Sequence, residues 1–565
     1  MKRIFSQSGL PDCSPGRGAF TMVTTALLRS MALLTAAVSL LWPGLPAVAE
    51  ECPGGESPDR PNIILIMVDD MGYSDLGCYG SEIATPHLDA LARNGLRFSQ
   101  FYNNAKCAPS RASLLTGLYP QQTLDGALMN RSRYLSEVLQ NAGYRTLMTG
   151  RSGGLRDSPV HCGFDRFFGL LNGCCNYFNP GLRRPGEPEP GRKHAGEMRA
   201  WARDDVRLHP FTPQEKDFYA TDAFGRTALD FLDDYGRREQ PFFLYLPYTA
   251  PHFPIHARPE DIARYRGKYG ASGWDEVRKA RHVRLVKLGL IRERWELSPR
   301  DKEVPGWQEL SDAEKQSWDL HMAVYAAMIT RVDHGIGLLM DRLKSLGIVE
   351  NTLVLFLSDN GACAEDYRAF GVTAPGVLPG PLASYRTQGV GWANVSNAPF
   401  RKFKWWVHEG GTASPLIVSW PAQLKAGGKI THEVAHIMDL MPTCLEAAGV
   451  RYPKDHGGRP LLPLEGQSLL PILRGENWSG HDELYWEFGP CRAVRKGDWK
   501  LVSSAPNPKF GISHFRMRGA PMAWELYNLA DDRTERFDLA GEYPARVREM
   551  AELFRAWRMR VKESR

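Results

Sequence analysis

Short apolar runs alternate along the chain with stretches whose apolar residues recur at helical spacing. The runs at 63–68, 146–148, 242–248, 353–357 and 416–420 predict strands. Helices are expected over 87–94, 135–142, 221–235 and 322–346, and around 436–448. Strands that are apolar throughout are buried on both faces. That pattern implies an α/β fold with a mostly parallel sheet sandwiched by helices. Past residue 448 the pattern changes. Short strand-like pieces at 484–488, 491–495, 499–502 and 524–529 precede a helix at 544–561, which reads as a small antiparallel domain with a C-terminal helix.

Length supports that division, because 565 residues exceed what a single core organises. The expected arrangement is a large domain over 60–460 and a small one over 461–565. Residues 1–49 read as an export signal. Lys2, Arg3, Arg17 and Arg29 precede an apolar segment at 31–41, and Ala47-Val48-Ala49 offers a cleavage site. Met22 and Met31 are alternative starts. Cys52 follows Glu51 rather than a small residue, so no lipid anchor is expected, and no second apolar run is long enough to span a bilayer. The mature chain is therefore expected to be exported, periplasmic or secreted. A net charge of +6 is small for this size: it gives no nucleic-acid footprint and is compatible with a polyanionic partner. The Lys/Arg-rich stretch 264–294 reads as a solvated helix pair. Ten cysteines in 565 residues do not form a dense disulfide framework, and their pairing stays open.

Two predicted strands end in hard oxygen donors: Asp69-Asp70 after 63–68, and Asp359-Asn360-Gly361 after 353–357. If those strands are neighbours, three carboxylates and an amide meet at one sheet edge, a set that suits Ca²⁺, with Mg²⁺ as the alternative. In Cys107-Ala108-Pro109-Ser110-Arg111, Pro109 fits the first turn of a helix and Gly117 its end. Cys107 and Arg111 then share one helix face. The helix start favours a bound sulfate or phosphate.

This segment resembles the signature of the type I sulfatases, Cys (or Ser)-x-Pro-x-Arg. The resemblance implies an alkaline-phosphatase-like fold and oxidation of Cys107 to formylglycine by a formylglycine-generating enzyme. The hydrated aldehyde would attack the sulfur of a sulfate ester. It also implies Asp69, Asp70, Cys107, Asp359 and Asn360 as metal ligands, Ca²⁺ being the family's usual ion. A thiolate suits such an ion poorly, and an oxygen-bearing residue 107 removes the mismatch. Ala250-Pro251-His252-Phe253-Pro254 is similar to the family's Ala-Pro-His-x-Pro segment, and Lys404 stands before Glu409-Gly410-Gly411 as in its Lys-x4-Glu-Gly-Gly pattern. Arg111, Arg151, His252 and Lys404 are thereby implied to bind sulfate and to serve catalysis, with His252 or Lys404 protonating the leaving group. Trp405 and Trp406 either line the substrate mouth or pack beneath it. The resemblance runs from about residue 61 to the 526–529 strand, and the insert at 261–316 is similar to the bacterial arylsulfatase branch.

One departure stands out. Where the family has Gly-Lys-x-His, this chain has Gly150-Arg151-Ser152-Gly153. Arg151 keeps the charge but cannot readily donate a proton. Losing a positioned proton-transfer group costs on the order of 10²–10⁴ in rate, and His161 is the nearby candidate to replace it. Two other readings remain: a phosphate or phosphonate monoester hydrolase of the same superfamily, and a catalytically weakened sulfated-glycan-binding protein.

Overall fold

The apolar runs do become strands, and they assemble around β1. The computed structural model describes residues 60–123, 129–365, 373, 376–424, 427–504 and 523–563. The expected export signal lies outside them. In chain order the main-sheet strands are β1 (Asn62–Asp69), β2 (Leu96–Tyr102), β3 (Arg145–Arg151), β4 (Arg166–Leu170) and β5 (Trp201–Arg203). They continue with β6 (Val206–Leu208), β7 (Phe242–Pro251), β8 (Thr352–Ser358), β9 (Ala413–Ser419) and β10 (Lys429–His436). The ten-stranded sheet has the order β10-β2-β9-β8-β1-β7-β3-β4-β5-β6. β1 pairs in parallel with β7 on one side and with β8 on the other. Ile63 to Val68 are at most 1% exposed, so the run is unbroken because both faces are covered.

A short ladder, β11 (Asp455–His456) and β12 (Arg459–Pro460), precedes a four-stranded antiparallel sheet. That sheet comprises β13 (Glu483–Phe488), β14 (Cys491–Lys496), β15 (Trp499–Ser503) and β16 (Glu525–Asn528), followed by the helix Pro544–Glu563. The α/β class and the small C-terminal antiparallel sheet are as the pattern implied. The described residues form one compact unit.

Several expectations are corrected. The element around 436–448 is not one helix: His436 ends β10, and the helix is Leu440–Ala447 after a short 3₁₀ turn. β10 escaped notice because its sequence, Lys-Ile-Thr-His-Glu-Val-Ala-His, is polar and lies at the sheet edge. The helix expected over 322–346 is Asp312–Ser345. Its polar first turns show no apolar period, yet Ser311 and Glu314 form a capping box that marks the start. The stretch 264–294 is not simply solvated. Arg281 is fully buried on Asp75 (2.6 Å) and Glu82 (2.8 Å), and Arg278 is buried on the Ser298 and Asn394 carbonyls. Eight cysteines among the described residues are free thiols.

Candidate active site

Because β1, β7, β8 and β3 run in parallel, their carboxyl ends open on the same edge. Asp69 closes β1 and Asp70 follows it, Asp359 and Asn360 follow β8, His252 follows β7, and Arg151 is the last residue of β3. The helix Cys107–Thr116 brings Cys107 at its first position and Arg111 one turn on. It stops where Gly117 adopts the left-handed conformation (φ 66°) and donates its N–H to the Ser113 carbonyl. Lys404 lies between the helices Val390–Ser396 and Glu409–Thr412. Its backbone N–H bonds the Ala362 carbonyl (3.1 Å), and the next residue bonds the Ala105 carbonyl (2.8 Å). The loop is thus tied both to the segment before Cys107 and to the segment after Asn360.

The nine residues implied as metal ligands or sulfate-binding groups meet here. Arg111 donates from Nε and Nη2 to Asp359 Oδ2 (3.2 and 3.0 Å) and from Nη2 to Asp69 Oδ2 (3.0 Å). Arg151 contacts Asp69 Oδ2 through Nη1 and donates from Nη2 to Cys107 Sγ (3.3 Å). Asp70 leaves the strand in the left-handed region (φ 70°), which Asp tolerates better than most residues. Its carboxylate faces different partners: Lys404 Nζ (2.7 Å), Asn360 Nδ2 (2.7 Å) and His252 Nε2 (3.3 Å). Asp69, Cys107 and Asp359 form one group of potential metal ligands, and Asp69, Asp70 and His252 another.

Burial sharpens these charges. It opposes ionisation of Asp69, but Arg151 and Arg111 outweigh it and hold that carboxyl well below the usual range. Burial and the neighbouring Asp69 charge push Asp359 upward against the opposing pull of Arg111. Burial also disfavours charged His252, yet Asp70 prevails and raises it to about 9. His252 Nδ1 lies 2.6 Å from the Phe253 carbonyl, which can only accept, so Nδ1 carries hydrogen and Nε2 faces the site.

The departure on β3 is also visible. His161 does not replace the absent imidazole: it is half exposed between Asp157 (3.2 Å) and Asp205 (3.3 Å). Trp406 is buried beneath the loop, whereas the half-buried Trp405 ring carries Lys106 Nζ 3.7 Å above it. Sequence reasoning missed Cys174. Its Sγ lies 3.4 Å from the Tyr385 hydroxyl, and burial would raise its thiol, but a hydrogen bond with His252 brings it down to about 7. Nothing in the local sequence marks Cys174 as a neighbour of His252.

Comparison with known proteins decides the family. The family model described as Sulfatase matches residues 61–450, well over half of the chain.

The chain belongs to the sulfatase family.

A second model, the N-sulphoglucosamine sulphohydrolase C-terminal region, matches residues 400–559 of this sulfatase. It is 34% identical to an uncharacterized sulfatase of Schizosaccharomyces pombe, over 87% of this chain and 92% of that one. It is likewise 34% identical to the arylsulfatase of Klebsiella aerogenes, over 80% of this chain and 98% of the relative. Among solved structures, Ps i-CgsB superposes with a TM-score of 0.61 at 26% identity, covering 88% of this chain and 92% of that one. Ps i-CgsB has also been solved in complex with k-i-k-neocarrahexaose. This sulfatase is therefore an enzyme of the sulfuric ester hydrolase class. Among the described residues, no helix is long and apolar enough to cross a membrane.

Proposed function

We propose that this sulfatase cleaves a sulfate ester with residue 107, converted to formylglycine by a formylglycine-generating enzyme, as the attacking group. A divalent cation, Ca²⁺ or alternatively Mg²⁺, is held by Asp69, Asp70, Asp359 and Asn360 together with residue 107. The observation that carries the reading is the meeting of Cys107, Arg111, Arg151, His252 and Lys404 around three buried carboxylates at one sheet edge.

The donor set fits a hard cation. Asp69 Oδ1 and Asn360 Oδ1 are buried side-chain oxygens without a hydrogen-bond partner, as ligand atoms awaiting a cation are. When bound, the ion supplies Lewis-acid stabilisation of charge on the sulfate oxygens, and the hydrated formyl group supplies an oxygen nucleophile where a thiolate would not suit that ion. The side chains do the rest. Arg151 holds residue 107 through Nη2, and Arg111 fixes Asp69 and Asp359 relative to each other. Lys404 and His252 approach from the Asp70 side, where they balance negative charge on the sulfate oxygens. His252 Nε2, its partner nitrogen already committed to the Phe253 carbonyl, or Lys404 protonates the departing alcohol. The expected export signal at 1–49 supports a periplasmic or secreted setting.

The test is release of sulfate from an aryl sulfate by protein co-expressed with a formylglycine-generating enzyme, with and without Ca²⁺, beside an aryl phosphate. Turnover of the sulfate ester that needs the ion and disappears in Cys107→Ala supports the reading, together with a residue-107 peptide roughly 18 Da lighter than its cysteine form. An intact thiol in a fully active preparation refutes the nucleophile, and preference for the phosphate ester reassigns the substrate. A second reading has its own observation. Arg151 ends β3 and Gly153 follows it without a side chain, so neither offers residue 107 an imidazole, and a sulfated-glycan-binding role predicts ligand binding without turnover.

A further inference from the structure

Two glycines follow Arg151, and they are glycine for different reasons. Gly154 sits in the left-handed region (φ 94°), and a β-carbon there would lie 2.7 Å from Arg111 Cβ and 3.1 Å from the Ala112 backbone nitrogen. Backbone conformation and packing both demand it. Gly153 is another matter, since its φ lies outside the range that only glycine favours. What a β-carbon at 153 would meet is the guanidinium of residue 151: 3.3 Å from Arg151 Nε and 3.7 Å from Arg151 Nη2, with Arg111 Cδ at 3.5 Å. Arg151 Nε is itself buried without a hydrogen-bond partner, so no bond of its own holds the inner end of the fork. The fork is fixed from outside, by Asp69 on Nη1 and Cys107 Sγ on Nη2. A β-carbon on 153 would stand a few tenths of an ångström too close to Nε, so the inner end must give while these two contacts hold the outer one.

We propose that Gly153 is a positioning residue for the nucleophile: the side chain missing at 153 is the space that lets the Arg151 guanidinium reach residue 107. The two residues act as one device. A bulkier residue at 153 withdraws the guanidinium from position 107, and a shorter cation at 151 removes the need for glycine. The inference deepens the sulfatase reading and rests on it only for its catalytic consequence, because the geometry concerns the unmodified thiol as well.

The test uses full-length protein made without the oxidising enzyme, so that residue 107 stays Cys. Alkylation of Cys107 by iodoacetamide is followed by mass spectrometry of its peptide, in Gly153→Ala and Gly153→Val, each with Arg151 or with Arg151→Lys. Arg151 Nη2, 3.3 Å from Sγ, is the contact that withdrawal of the guanidinium would take from the sulfur. The expected result is a several-fold slower alkylation in the Arg151 background, larger for Val than for Ala, and no change from Gly153 substitution in the Arg151→Lys background. Thermal denaturation of each variant confirms that it is folded. With formylglycine-loaded enzyme, Gly153→Ala should lower kcat for an aryl sulfate about tenfold with KM within twofold. Equal slowing in both backgrounds would mean that residue 153 acts through access or backbone, and the proposal falls. An unchanged rate in both backgrounds also overturns it. If the alkylation pattern holds but no sulfate is ever released, the sulfatase reading has failed and this inference has not.

Discussion

Single residues here work against burial, and that makes them sensitive to change. Lys404 reaches both Asp70 oxygens (2.7 and 2.8 Å) from a site with 1% side-chain exposure. Removing one partner of a buried ion pair leaves an uncompensated charge, which costs about 3–5 kcal/mol. Lys404→Met should therefore lower the melting temperature and reduce sulfate release by two orders of magnitude or more, at the scale of a lost charge-stabilising group. A variant that melts normally and turns over normally would remove Lys404 from the site. The carboxylates predict the converse. At a free Ca²⁺ concentration a hundredfold above Kd, binding to the folded state adds about 2.7 kcal/mol of stability. Calorimetric scans should show the melting point rising with Ca²⁺ in the native protein. The rise should vanish in Asp359→Asn, with Asp69 as the second position to test.

Among the elements, the segment after β7 depends on one neutral imidazole. His256 Nε2 lies 2.7 Å from the Ser384 carbonyl, which only accepts, while Nδ1 accepts the Tyr177 N–H (3.3 Å). Both nitrogens are thus used in the uncharged form, and burial lowers the ring to about 4. Its folded-state value lies below the unfolded one near 6.5, so the stability it contributes is complete above about pH 6.5. It is lost as pH falls toward 4, at most about 3 kcal/mol over that window. Buried His436, lowered to about 3, has the same sign. Urea unfolding at stepped pH should show that slope, and His256→Gln should flatten it; an unaltered slope in the variant would place the titration elsewhere.

At the scale of the molecule, a buried ionic cluster joins the small sheet to the loop that carries Lys404. Glu409 accepts from Lys500 (2.8 Å), Arg533 (2.9 Å) and the Tyr102 hydroxyl (2.8 Å), and its N–H donates to Glu535 (2.9 Å). Lys500 also pairs with Glu535 (3.0 Å). Burial opposes the charge on Glu409, but Lys500 and Arg533 bring it down to about 2. Arg401, in the same loop, reaches the Tyr527 hydroxyl (2.9 Å) and the Glu535 carbonyl (2.9 Å). Lys500→Met should destabilise the protein by about 3–5 kcal/mol. It should also lower kcat more than it changes KM, although residue 500 does not touch the nucleophile, and Lys500→Arg should restore part of both. A loss confined to stability would separate the small sheet from catalysis.

The sequence by itself determined the strands that are apolar without a break and the chemistry attached to their ends, but not interior β2, whose run is broken by Arg97, Ser99 and Gln100. An unbroken apolar run such as 63–68 has only one kind of home, and Asp69-Asp70, Asp359-Asn360 and Cys107 to Arg111 announce their donors by residue type. Edge elements were hidden, because β10 is polar where water covers it and so carries no apolar period. What only the tertiary structure decided is adjacency. The pairing of β1 with β8 brings together residues almost three hundred positions apart, and no local preference encodes which strand lies beside which. Likewise, the reason for glycine at 153 appears only when the Arg151 side chain is seen in the space above it, since steric exclusion acts between folded neighbours and leaves no periodic mark on the chain.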